Sequence, residues 1–195
     1  MHHPVYALLR YLTLPVVAVT TSSNGRGNGM IANSAQRASL VPSIPRISLY
    51  ISKTNFSHEL VYASGVFGIH LLRTNQWDVI WQLGLQSGRD GDKFAAIDVR
   101  TGATGCPMLA DARAAFECRV VNAMDSGAAT FFLGEVVDIV EGADAAVMTS
   151  DYFRSHMPED KRRIYEARLM SAQRELEVMS RNIEKKAWPG PTAQP

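Results

Sequence analysis

Two spacings of apolar residues alternate along this chain, one of period two and one near 3.6, and their boundaries mark out its elements. Pro15-Val16-Val17-Ala18-Val19-Thr20-Thr21 is β-branched and apolar, which favours a buried strand near 15–22. Asn24-Gly25-Arg26-Gly27-Asn28-Gly29 holds Asn-Gly twice, a strong hairpin signal, and a second strand near 29–38 follows it. Ile47-Ser48-Leu49-Tyr50-Ile51 predicts a third strand near 46–52, the three forming a meander. Residues 4–12 read as a short amphipathic helix leading into the first strand. Ser57 to Ser64 reads as a helix stopped by Gly65, followed by a strand near 66–72. A helix from Asn75 to about Leu85 would put Trp77, Ile80, Trp81 and Leu85 on one face, before a loop at Ser87–Asp92. Residues 113–124 and 129–141 read as two long strands joined by a hairpin at Asp125-Ser126-Gly127. Short strands and hairpins predict a mainly β fold, a closed or nearly closed antiparallel barrel.

The pattern changes at Pro158-Glu159-Asp160, a helix start with proline in the first turn and acids at the positive dipole end. Ile164, Leu169, Leu176, Met179 and Ile183 keep helical spacing through about Ala187, and Trp188-Pro189-Gly190-Pro191 ends the run. The chain therefore divides into a barrel domain over 1–156, a helical arm over 157–188 and a disordered tail over 189–195. At 1.5 Å per residue the arm spans roughly 40 Å, more than one small barrel can cover. An arm reaching across a partner subunit is the favoured reading, and an arm packed on its own barrel the other.

The second strand points to chemistry. Met30-Ile31-Ala32-Asn33-Ser34-Ala35-Gln36-Arg37 carries small and polar residues where a core strand would carry Val and Leu. That leaves room for a flat, polar-edged molecule against the backbone. The Gly25, Gly27, Gly29 run joins two strands and opens no helix, so it is a turn rather than a dinucleotide loop. A formal net charge of +1 gives no reason to expect nucleic acid or an anionic membrane surface. No apolar run is long enough for a membrane span, and the N-terminus lacks the basic-then-apolar order of a leader, which predicts a cytoplasmic protein. Cys106 and Cys118 have no zinc-ligand spacing; Cys118 shares a strand face with Phe116 and Val120 and reads as a small core residue. No metal site is expected.

The stretch 15–42 resembles the flavin reductase family, whose domain is an FMN-binding split β-barrel of Greek-key type. Its strand PVxVVTT, Gly-rich turn and G-M-T-x-x-S-F-x-S-x-S-x-x-P-P are matched here from Pro15 to Pro42, with Ile31 for the family Thr, Ala35 for Phe and Arg37 for Ser. Ser57-His58-Glu59-Leu60, Ala63-Ser64-Gly65-Val66-Phe67, Asp92-Lys93-Phe94, Gly105-Cys106-Pro107 and Phe131-Phe132-Leu133-Gly134-Glu135-Val136 continue the resemblance in family order. It implies a homodimeric NAD(P)H:flavin oxidoreductase with FMN, or FAD, as flavin. Reduced flavin would pass to a partner monooxygenase or another acceptor. The alternatives are an FMN-binding electron carrier of the same fold and, less favoured, a pyridoxamine-phosphate-oxidase-like barrel. NADH and NADPH stay undistinguished.

Candidate site residues follow. Ile31, Ala32, Asn33 and Ser34 would face the flavin pyrimidine edge, largely through backbone groups. Ser52, Lys53, Thr54, Asn55, Ser57 and His58 offer charge and donors for the phosphate, with Ser57 at a helix start where free N–H groups favour an anion or as a simple N-cap. Arg37 would meet either the phosphate or a partner subunit, and Lys93 is a second phosphate candidate. Arg154 and His156 are candidates for the pyridine nucleotide, or belong to a surface turn. No acid–base or nucleophile set stands out, which fits flavin chemistry, where the protein supplies orientation and electrostatics.

Overall fold

The computed structural model describes residues 8–12 and 15–192. Of the helix expected over 4–12, residues 8–12 are helical and close in a 3-10 turn at Arg10–Leu12; residues 1–7 lie outside the described residues. Strands β1 (Val17–Ser23) and β2 (Arg26–Ala32) pair as a hairpin whose register runs from Val17–Ala32 to Ser23–Arg26. Its turn is the first Asn-Gly only: Asn24 and Gly25 take φ of 52° and 73°, the two positive values this two-residue turn requires. Asn28 and Gly29 sit inside β2.

The strand expected over 29–38 is broken. β2 stops at Ala32 and β3 (Ala35–Arg37) pairs with β4 (Arg46–Ser52) instead. Helix α1 (Phe56–Ser64) ends on Gly65 at φ 68° and leads to β5 (Val66–Leu71). Then come α2 (Trp77–Gly84), the two-stranded β6 (Val99–Thr101) and β7 (Pro107–Leu109), and the long pair β8 (Ala114–Asp125) and β9 (Ala129–Glu141). The order in the main sheet is β2-β1-β5-β8-β9-β4-β3, all antiparallel, with register breaks in the β8–β9 pair at Glu117/Cys118 and Val120/Asn122 that let it bend. This is no meander: β2 and β3 are opposite edges. Yet only Asn33 and Ser34 link them, and a chain that short spans at most about 11 Å. The sheet must curl until its edges nearly touch at that end, unpaired, as a split barrel.

Val17, Val19, Leu49, Ile51, Phe67, Cys118 and Phe132 fill the barrel, with Cys118 fully buried as its strand face predicts. A second core lies under α2, where Ile80 and Leu83 are buried; Leu85, expected on that face, is the cap residue beyond the last turn. Buried His70 ties the small sheet to the barrel. Its Nδ1 lies 3.3 Å from the Ala18 carbonyl and its Nε2 accepts the Leu109 N–H at 3.2 Å.

Helices α3 (Ser150–His156) and α4 (Glu159–Met179) follow. Phe153 stacks on Trp77 and meets Tyr165 edge-on at 5.7 Å, which anchors the start of α4 on the α2 core. The arm ends sooner than its spacing predicts. Ser180 caps it, and the chain then folds back across the barrel, so Ile183 is off the helix and 58 % exposed. Trp188 packs on the barrel core, Pro191 lies over Gly65, and Thr192 donates its N–H to the Ala63 carbonyl at 3.1 Å. Residues 189–192, expected as disordered tail, are thus part of a strap; 193–195 lie outside the described residues.

Candidate flavin site

A cleft of about 320 Å³ opens where β2, the start of α1, the end of α2 and the loop after it converge. Ile31, Thr54, Asn55, Ser57 and Lys93, five of the sequence candidates, line it together. Ser57 is not an N-cap: Asn55 holds that position, with no side-chain cap bond, and Ser57 is a buried first-turn residue. Asn28 Nδ2 donates to Ser57 Oγ at 2.8 Å, fastening β2 to the helix start. Unmet N–H groups of a helix's first turn, with the positive dipole end, make an uncapped terminus favourable to anions.

The charged groups in the cleft lining are Arg89, Lys93 and Arg168, all cationic. Lys93 is 5 % exposed, and its Nζ donates to the Gly29 and Leu83 carbonyls at 2.6 and 2.5 Å. Burial, then the nearby Arg168 charge, lowers its pKa to about 8. A buried ammonium held by carbonyls, in a cleft whose lining residues include no carboxylate, favours a bound anion. Arg89 pairs with Glu59 and donates to the Thr54 carbonyl at 3.2 Å, while Arg26 reaches the Gly88 carbonyl at 2.6 Å. Both guanidinium groups lie over Phe56, Arg26 at 4.4 Å and Arg89 at 5.3 Å from its centroid. Gly88 permits the close approach of this loop, since a Cβ there would fall 2.0 Å from Asn28 Oδ1. Sequence reading missed Asn28, Arg89 and Arg168. Arg89 had a local signal in the Ser87-Gly88-Arg89 loop, whereas Arg168 reaches the cleft only because α4 is anchored beside it.

Other candidates lie elsewhere. Lys53 is ion-paired with Asp125 and lines a separate cavity of about 290 Å³ with His58 and Trp188. His58 Nε2 is 2.8 Å from Thr130 Oγ1, and burial, followed by the Lys53 charge, lowers its pKa to about 4. Burial works against the Asp125 carboxylate, but Lys53 and the Gly127 N–H outweigh it and hold its pKa below the usual range. Ser34 donates to the Tyr50 carbonyl at 2.8 Å and Ser52 bonds Thr54 at 3.0 Å. Ala32 ends β2, Asn33 is exposed beside it, and Arg37 lies on the lip of a third cavity. Arg154 pairs with Asp151, and His156 stacks on Tyr152 with centroids 3.9 Å apart; neither lines the cleft. Glu117 is 1 % exposed; burial opposes its ionisation, but N–H groups of Thr104 and Ala103 and the Thr104 hydroxyl keep its pKa low, making it a clasp for that turn.

Residues 9–159 match the family described as flavin reductase like domain. A curated relative, the ferric-chelate reductase (NAD(P)H) of Archaeoglobus fulgidus, is 36 % identical over 69 % of this chain and 80 % of its own length. The chain spans a smaller part, 63 and 38 %, of two other curated relatives. Among solved structures, an FMN-binding protein from Thermus thermophilus superposes with a TM-score of 0.64 at 26 % identity, covering 72 % of this chain and 78 % of the other. A nitrilotriacetate monooxygenase component B homologue from Mycobacterium thermoresistibile superposes at 0.62 and 28 % identity, covering 72 and 77 %. With three quarters of its length matched and the split barrel in place, the chain belongs to the flavin reductase like domain family.

Proposed function

We propose that this chain is an NAD(P)H-dependent flavin reductase, with FMN as the flavin it holds and FAD as an alternative. The cationic cleft at the uncapped start of α1 carries the reading. An FMN phosphate needs several donors and positive charge, and Lys93, Arg89, Arg168, Thr54 and Ser57 are such a set. The flavin ring would lie along Ile31 to Ser34, where backbone groups at the broken edge between β2 and β3 are open to its pyrimidine side. The flavin these residues would hold would supply the redox chemistry, as acceptor of a nicotinamide hydride. The chain's residues bind and orient: Lys93 and Arg89 fix the phosphate end, and the small side chains of Ala32 and Ser34 leave the ring face accessible. No side chain in this reading donates or removes a proton.

We further propose a homodimer, with α4 packed partly on the other subunit, and delivery of reduced flavin to a separate oxygenase. The half-buried positions of α4 include Tyr165, Leu169, Leu176 and Met179, while Ile164 and Val178 are exposed on its other side. The monooxygenase-component neighbour supports the delivery step. Among the described residues no helix is long and apolar enough to cross a membrane. The decisive experiment loads the purified chain with FMN and adds NADH or NADPH without oxygen. Bleaching of the visible flavin band with either nucleotide supports the reading; an unchanged spectrum with both assigns the carrier role instead.

A further inference from the structure

Helix α4 is tied down at its two ends and only lightly covered between them. At its start Tyr165 meets Phe153 edge-on. At its end the Met179 and Ser180 carbonyls lie over Gly127 in the β8–β9 turn, where a Cβ would fall 2.7 and 2.9 Å from them. The stripe between, Leu169, Ala172 and Leu176, is half-buried, and no residue of the helix is fully buried. An element with so little buried surface opens at low cost. Arg168, three residues after Tyr165, is where this helix lines the cationic cleft.

The other arginines near the helix ends have acids within reach: Arg162 and Arg163 approach Glu159, and Arg181 pairs with Glu177. Arg168 has Ile164, Tyr165, Ser171 and Ala172 at the neighbouring helical positions, none of them acidic. Among the described residues it makes neither hydrogen bond nor ion pair. The charge it does act on is that of Lys93, which it opposes. The two cations differ in how they are held. Lys93 is clamped to β2 and α2 by the Gly29 and Leu83 carbonyls, whereas Arg168 rides on the lightly covered helix. Like charges across a cleft repel, and an anion set between them turns that repulsion into two charge-assisted attractions.

We propose that α4 is a closing wall of the cleft, drawn down when a phosphate bridges Lys93 to Arg168. This rests on the flavin reading of the cleft and adds its regulation. FMN orders the middle of α4, and a docked α4 holds FMN more tightly, because coupling acts equally in both directions. Riboflavin, which has no phosphate, leaves the helix as it is.

The test follows hydrogen–deuterium exchange of residues 166–176 in the full chain, alone and with saturating FMN, riboflavin or inorganic phosphate. Fluorescence quenching reports flavin occupancy separately, and light scattering reports mass. FMN should slow exchange in that segment about tenfold, within the usual range of coupling between sites. Inorganic phosphate should slow the same segment, and bound riboflavin should not. Arg168→Gln should abolish the slowing at saturating FMN and weaken FMN about tenfold, with riboflavin affinity unchanged. Arg174→Gln, which removes a cation of α4 outside the cleft lining, should behave as the parent. Bound FMN that leaves exchange unaltered overturns the proposal, as does equal slowing by bound riboflavin or slowing that persists in Arg168→Gln. Slowing that comes only with an increase in mass also overturns it, because a partner subunit would then be covering the helix. Failure of both flavins to bind rejects the flavin reading, and the phosphate titration then decides the closing wall by itself: slowing that requires Arg168 sustains it, and no slowing overturns it.

Discussion

Lys93 and Lys53 have the same side chain and opposite situations. Lys53 is neutralised by Asp125, whereas Lys93 is buried among carbonyls with its pKa lowered to about 8. A bound phosphate would hold Lys93 protonated. The affinity advantage of FMN over riboflavin should therefore be greatest below pH 8 and decline as pH rises through it, as followed by quenching of flavin fluorescence. Lys93→Met should cut that advantage about tenfold and remove its pH dependence, while Lys53→Ala should leave it. His70 makes a second residue-scale prediction. Burial lowers its pKa to about 4, against the Ala18 carbonyl contact that favours the charged form, and Nε2 must stay unprotonated to accept from Leu109. A depressed pKa means full stability above the unfolded value of 6.5 and progressive loss as pH falls from there toward 4, to which His58 adds in the same direction. Melting temperature should fall over that window, and His70→Gln should melt lower at pH 7.5 but lose less on acidification.

Among elements, the loop after α2 and the strap after α4 show how far local pattern reaches. The loop's position depends on contact between Gly88 and Asn28. Gly88→Ala forces the loop away from β2 and should cost about 1 to 3 kcal/mol, typical of overpacking, with Arg89 displaced and FMN bound more weakly. Denaturant melts and flavin titration of the same variant check both parts. The hairpin, β4, α1 and the long β8–β9 pair were legible from residue type and spacing because each forms within a few neighbours. The strap was not. Its Trp188 and Pro191 look like chain-terminating residues, and their anchorage depends on the α1 and barrel surfaces they meet. Trp188→Ala should lower stability by about 2 to 3 kcal/mol, at or below the usual cost for a buried large aromatic because Trp188 is half-buried.

For the whole molecule, the proposed dimer predicts a light-scattering mass twice that of the chain at micromolar concentration. Ile164→Glu with Val178→Glu, both exposed on the side of α4 away from its own barrel, should return a monomer that keeps its helical circular dichroism. A full-length chain already monomeric would reject the assembly. The sequence by itself determined the first strand and its Asn-Gly turn, β4, β5 and the β8–β9 hairpin, the order of the family's segments, and a polar stretch suited to a flat ligand. These depend on backbone propensity and side-chain period, which neighbouring residues set. The tertiary structure decided which cation was free. Asp125 lies 72 residues beyond Lys53 and neutralises it because β4 and β9 pair with the β8–β9 turn at their end. The same curl sets β2 and β3 edge to edge and leaves Lys93 in a cleft with Arg89 and Arg168. Ion pairing and burial act through space, and the closing of the sheet brings those distances into being.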